Sequence, residues 1–232
     1  MALRGGLFGA GTVVRLPSSA LFVGAHCDDI ELLAGGLLSR ACRSGVRTGV
    51  LVFSDHRGII GAEAAAQALS EFRANMSWLA GKTGAAIADH TDFLLPACSG
   101  AFEAERGRIY AALEALREKY ELVVTHPLHD TNQDHQGVAR EAARVFKAHA
   151  TVLSGEFPNN DLGDGRLEVF VSLEERDIEA KIHMVTAYAS QRFGGRPYLD
   201  EGVVRALASL RGSQIRERAA EAFFVLSRLI VR

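Results

Sequence analysis

Short apolar runs alternate with amphipathic stretches along most of this chain. Residues 20–25 form an apolar run that ends at charged residues, the pattern of a strand buried on both faces. From about residue 29 to 43 the period becomes helical, with Ile30, Leu33, Leu37 and Leu38 on one side and Gly45 as the stop. Gly35-Gly36 lowers helix propensity there but lets the helix lie close to a sheet. Residues 48–53 predict a second strand, 58–61 a loop, and 62–79 an Ala-rich helix closed by Gly81. A short third strand is expected within 85–94, with His90 and Asp92 near its end. An amphipathic helix over 103–120, a strand at 122–125 and a helix over 137–149 follow. Strands at 151–157 and 168–173, a helix over 174–191 and two helical segments at about 200–210 and 214–230 complete the chain.

This alternation argues for an α/β fold with a mainly parallel sheet. Length suits one domain over 1–232, with an irregular N-terminal arm at 1–19 and a C-terminal helical part at 174–232. In such folds, sites form at the carboxyl ends of strands. Three polar bursts follow strands, at 26–31, 54–57 and 126–135, and the architecture gathers them on one edge.

Composition narrows the setting. The net charge of -2, the sparse aromatics and the lack of a basic run argue against nucleic acid as a partner. No apolar window reaches the length of a membrane span, so no membrane insertion is expected. Cys27, Cys42 and Cys98 are odd in number and widely spaced, which fits neither a disulfide framework nor a structural zinc site. A reducing, cytoplasmic location without a signal peptide is expected. The glycines at 5, 6, 9 and 11 lack the spacing of a dinucleotide loop.

The densest chemistry lies in Gly24-Ala25-His26-Cys27-Asp28-Asp29-Ile30-Glu31, one imidazole and three carboxylates between buried runs. Such charge is costly to bury unless compensated, and a divalent metal compensates it with natural ligands. The plainer alternative has Asp28 cap the following helix, Asp29 and Glu31 complement its first turn, and His26 sit as a satisfied neighbour. His26 and Asp29 flank a strand-to-helix turn, and His135 offers a third ligand because Asp134-His135 opens a helix in the same way. Two His and one Asp leave a position open for water, as hydrolytic zinc sites do. Asp28 is then free to move protons, and Asp134 to orient an imidazole. Arg57 is placed to grip an anionic group, with a solvated turn as the alternative. Gln191 and Arg192 either contact substrate or cap a helix, while Trp78, His90, His149 and His183 are expected in packing or at the surface.

Ala25-His26-Cys27-Asp28-Asp29-Ile30-Glu31 resembles the AHPDD(I/V)E signature of the PIG-L/LmbE family of zinc-dependent N-deacetylases. Residues from His126 to Asp130-Thr131-Asn132-Gln133-Asp134-His135 resemble that family's second motif, ending HxDH. Glu156-Phe157-Pro158-Asn159-Asn160, Lys181, Tyr188-Ala189-Ser190-Gln191, Arg196-Pro197-Tyr198 and Arg211-Gly212 look like the tail of a bacterial branch with a DTNQDH-type second motif. The resemblance implies a Rossmann-like three-layer fold and hydrolysis of an N-acetyl or similar small acyl group on an amino sugar or its conjugate. It makes His26, Asp29 and His135 the ligands of Zn2+, or of another divalent metal, since this donor set is not selective. It makes Asp28 the general base and Asp134 the orienting carboxylate.

Two positions depart from the family pattern. Cys27 stands where the first motif carries Pro and is expected to be a neutral replacement. Asn132 stands at the first His of HxDH; it still donates a hydrogen bond to an oxyanion but cannot donate a proton. Asp28 then acts alone as acid, or His126 or His129 substitutes beside the substrate. The departures keep a second reading alive, a catalytically weak metal- or sugar-binding module of the same fold. A nucleotide-sugar transferase is a third and would not require His135. The apolar faces of the last two helices serve either a homo-oligomer or their own sheet.

Overall fold

The computed structural model describes residues 15–91, 101–160, 165–192 and 195–227. Its elements run β1 (Ser19–Gly24), α1 (Asp29–Arg43), β2 (Arg47–Val52), α2 (Arg57–Thr83), β3 (Ile87–Asp89), α3 (Arg106–Glu114) and β4 (Leu122–Thr125). They continue as α4 (Gln133–Phe146), β5 (Thr151–Gly155), β6 (Val169–Ser172), α5 (Glu175–Thr186), α6 (Glu201–Gln214) and β7 (Ala220–Val225). The strands form one sheet in the order β3-β2-β1-β4-β5-β7-β6. Pairing is parallel from β3 through β5 and antiparallel where β7 meets β5 and β6. Helices cover both faces. Residues of α1, α2, α5 and α6 build the core on one side, and α3 and α4 build it on the other. The result is the expected three-layer α/β fold with a mainly parallel sheet.

The chain runs outward from β1 through β2 to β3, then returns to place β4 on the other side of β1. The connection therefore reverses between β1 and β4. In open α/β sheets the crevice at such a reversal, beyond the carboxyl ends of the strands, is where ligands bind. The two densest polar bursts leave the sheet from these two strands.

Several sequence expectations shift. Residues 58–61, expected as a loop, lie in the first turns of α2, whose helical path is interrupted at Gly61 with φ 81°. The strand expected within 85–94 is only Ile87–Asp89, and Asp92 lies outside the described residues, as does Cys98. The largest correction concerns 214–230. Its Ala- and Glu-rich stretch reads as helix by propensity, yet Ala220–Val225 is β7 and pairs on both sides. Non-local pairing overrides local preference here. The C-terminal part is therefore not all helical. Among the described residues, no helix is long and apolar enough to cross a membrane.

Glu221 shows why the strand wins. Helix α1 breaks at Ala34 (φ -154°, ψ 28°), which leaves backbone groups without helical partners. Glu221 accepts hydrogen bonds from Gly36 N and Leu37 N at 2.9 and 2.7 Å. Lys181 of α5 donates to Leu32 O at 2.8 Å and to Glu221 at 2.7 Å. Gly36 is needed at this crossing, because a Cβ there would come within 2.5 Å of Leu173 Cδ1 and 3.1 Å of Glu221. Gly155 of β5 likewise permits a close approach, since a Cβ there would meet Leu33 O at 2.4 Å. The break thus seats α1 against β5 and β7, and a buried ion pair satisfies it. Lys181→Met should lower the unfolding free energy by roughly 3–5 kcal/mol, since it strands both a buried carboxylate and a carbonyl. Urea denaturation measures this; a loss under about 1 kcal/mol would mean that the pair does not hold the break.

Candidate metal centre

Strand β1 ends at Gly24, and the chain turns so that His26, Asp28 and Asp29, the first residue of α1, reach the crevice. Asp28 occupies the N-cap position of α1 but makes no side-chain capping bond. This removes the plainer account of that carboxylate. From β4, the loop to α4 is held by its own polar groups. Asp130 Oδ1 accepts from Asn132 N at 2.7 Å, and Asn132 Oδ1 accepts from Asp134 N at 2.9 Å as the N-cap of α4. Asp134 and His135 are thereby fixed in the first turn of α4.

His26, Asp29 and His135 are all buried and converge. His26 Nδ1 lies 3.3 Å from His135 Nε2 and 3.5 Å from Asp29 Oδ2, and His135 Nε2 lies 3.4 Å from Asp29 Oδ1. A tetrahedral ion with bonds of about 2.1 Å separates its ligand atoms by about 3.4 Å. The donor set and its spacing fit a divalent metal. The opposite nitrogen of each imidazole faces a carboxylate: His135 Nδ1 is 2.8 Å from Asp130 Oδ2, and His26 Nε2 is 3.3 Å from Asp134 Oδ2. These carboxylates accept from the ring N–H groups, so that the nitrogens turned toward Asp29, His26 Nδ1 and His135 Nε2, are the ones whose lone pairs a metal would use. A second group, His126, Asp130 and His135, is also close enough to hold an ion. Its atoms are already engaged, however. His126 Nε2 lies 3.0 Å from both Ala25 N and Asp29 Oδ2, and Asp130 holds His135.

The electrostatics agree with this division. Burial opposes ionisation of Asp29, but His135 and then His126 outweigh it and hold the carboxyl well below its usual range. Burial likewise opposes charge on His135, yet Asp29 and Asp130 raise the imidazole to about 10. A metal must displace that proton to bind. Asp28 behaves oppositely. Burial, then the adjacent Asp29, raise its carboxyl to about 6.

The remaining sequence candidates divide. Cys27 points its thiol to Ser54 O at 3.7 Å, and burial followed by the charge of Asp28 pushes it upward, so it offers no thiolate. His126 is fully buried and stacks on His135 with ring centroids 3.8 Å apart, leaving no surface for a substrate. His129 packs edge-on against Phe224 of β7. Arg192 donates to Thr186 O at 2.7 Å and so caps the end of α5, an ordinary use of Arg. Arg57 is forked onto Asp55. Gln191 is buried and accepts from Arg196 at 2.9 Å. Arg196 lies over the Tyr198 ring, and its charge acts on Asp28. Sequence reading assigned no role to Asp130, Arg196, Tyr198 or Phe157, whose ring meets His135 edge-on at 5.0 Å. Asp130 alone carried a signal, as a carboxylate five residues before His135.

Glu31 is buried behind the centre. Tyr188 donates its single proton to Cys27 O, and Glu31 Oε1 lies 2.8 Å from the Tyr188 oxygen. A protonated Glu31 completes that contact while accepting from Asn75 at 3.0 Å. Burial raises this carboxyl from 4.5 to about 8. Between those values the fold keeps a proton that the unfolded chain releases, so stability falls as pH rises. Both contacts fall on Oε1, so Glu31→Gln removes the titration and keeps one of them. Between pH 5 and pH 8 metal-free Glu31→Gln should gain stability relative to wild type, by at most about 1.4 kcal/mol per pH unit. A difference from wild type that is the same at both pH values would show an ionised Glu31.

The family model described as PIG-L, GlcNAc-PI de-N-acetylase, matches residues 21–146, and the chain belongs to the PIG-L family. No curated protein matches by sequence. Among solved structures, N,N'-diacetylchitobiose deacetylase from Pyrococcus horikoshii is 17% identical with a TM-score of 0.67, covering 90% of this chain and 83% of its own. The zinc-inhibited form of teicoplanin deacetylase Orf2 is 18% identical with a TM-score of 0.64, over 89% and 97%. GalB, the 4-carboxy-2-hydroxymuconate hydratase of Pseudomonas putida KT2440, is 19% identical with a TM-score of 0.64, over 92% and 98%. At these identities the likeness establishes the fold.

Proposed function

We propose that the protein is a metal-dependent amide hydrolase that removes an N-acetyl, or similar small acyl, group from an amino sugar or amino-sugar conjugate. The observation that carries this reading is the triangle of His26 Nδ1, His135 Nε2 and Asp29 beside a buried Asp28 that makes no capping bond. Membership of a family described by a de-N-acetylase supports it, as do neighbours named deacetylases. The site also draws on residues beyond the matched segment, including Phe157, Tyr188 and Arg196, so we read the chain as one catalytic domain.

A divalent metal such as zinc, held by His26, Asp29 and His135, supplies a Lewis acid for the acyl oxygen and an acidified water. Asp28 takes a proton as water adds to the acyl carbon. Its carboxyl, raised to about 6, gives that proton back to the nitrogen as the C–N bond breaks. Free amine and acetate result. Asp130 and Asp134 hold the two imidazoles in the binding tautomer. Asn132 uses its Oδ1 in the α4 cap, so only its amide N–H groups remain for an oxyanion. Arg57 and the Gln191–Arg196 pair are the residues we assign to the sugar or its substituent.

GalB shows that this fold also serves a hydratase, and a binding module remains the non-catalytic rival. The discriminating assay follows release of acetate and free amine from a panel of N-acetylated amino sugars with zinc-loaded protein. Asp28→Asn should lower kcat by about 10²–10⁴-fold while bound metal persists. Metal-loaded protein that releases no acetate from any member of the panel would contradict the hydrolase reading. Full activity in Asp28→Asn would contradict the role given to that residue.

A further inference from the structure

His56 is the only non-glycine residue in the left-handed region among those described at the carboxyl edge of the sheet, at φ 68° and ψ 13°. A histidine pays for that conformation where glycine does not. The surrounding bonds hold it there. His56 N donates to Ser54 Oγ at 3.0 Å, and its carbonyl accepts from Ile59 N and Ile60 N at 2.9 and 3.2 Å as α2 begins. The imidazole consequently stacks on His26, with ring centroids 4.2 Å apart and planes inclined by 19°. Its Nδ1 is buried and has no hydrogen-bond partner. A near-parallel stack keeps the His56 lone pair from aiming at an ion that lies in the plane of the His26 ring, so His56 is not suited to be a fourth ligand. It is, however, the half-buried imidazole adjoining the ligand set. His126 has no exposed surface, and His129 packs against Phe224.

Resting on the hydrolase reading, we propose that His56 is a substrate-contacting residue of this site, supplying from the β2–α2 turn an imidazole hydrogen bond to the reacting acyl group beside that of the Asn132 amide. Asn132 has committed one end of its amide to α4. A neutral imidazole N–H at the centre directs a hydrogen bond to the acyl oxygen without transferring a proton. The strained turn is the device that brings it over His26.

Glycine and asparagine both tolerate the left-handed conformation, which allows a test without backbone damage. In zinc-loaded protein, His56→Gly should leave metal content and thermal stability at or above wild type. It should lower kcat for acetate release by about 10–100-fold, with His56→Asn in between. Calorimetry with sodium acetate, the product anion, provides a readout independent of turnover, and His56→Gly should bind it about tenfold more weakly. Wild-type kcat and acetate affinity in His56→Gly would overturn the proposal, as would loss of zinc in that variant, which would make His56 a prop for His26. If wild type hydrolyses none of the amino sugars yet the acetate difference persists, the hydrolase reading fails while the contact role of His56 stands.

Discussion

The carboxyl edge of the sheet depends on two contacts, Asp130 to His135 Nδ1 and Asp134 to His26 Nε2. Each carboxylate takes the proton of one ring nitrogen and so fixes where the other nitrogen's lone pair goes. Without them either ring could keep its one remaining proton on the nitrogen that faces Asp29 when a metal arrives, and no lone pair would be offered there. Asp130 and Asp134 are themselves placed by the cap of α4, through Asn132. Tautomer control, helix initiation and ligand placement are therefore one local structure, and that structure sits where the sheet reverses its winding between β1 and β4.

The same physics extends behind the site. Burying His26, Asp28, Asp29 and Glu31 within six residues is costly. That cost is offset by different means at each position. Asp29 is paired with imidazoles, Glu31 is neutral and hydrogen-bonded, and Asp28 is left partly protonated near pH 6. Helix α1 then breaks at Ala34, and Lys181 with Glu221 satisfies the exposed backbone. Residues far apart in the chain thus hold the element that begins with Asp29.

The parallel half of the sheet and the convergence of His26, Asp29 and His135 were legible in the sequence because each signal is local. The apolar run of β1 is followed at once by His26 and Asp29, and β4 is followed within ten residues by His135. Strand β7 was not legible, because Ala and Glu favour helix and its pairing partners lie about 50 and 70 residues earlier. Arg192 and His126 show the limit for single residues. Their types suit a pocket, but one caps a helix and the other is sealed beneath His135. The left-handed turn at His56 depends on Ser54 and the start of α2, and no composition rule announces it.

We propose His26, Asp29 and His135, rather than the adjacent His126–Asp130–His135 group, as the metal site. Crystals grown with zinc and measured on both sides of its absorption edge locate the ion directly. One anomalous peak is expected, at about 2.0–2.2 Å from His26 Nδ1, His135 Nε2 and an Asp29 oxygen. A peak bonded to His126 and Asp130, with His26 unligated, would contradict it.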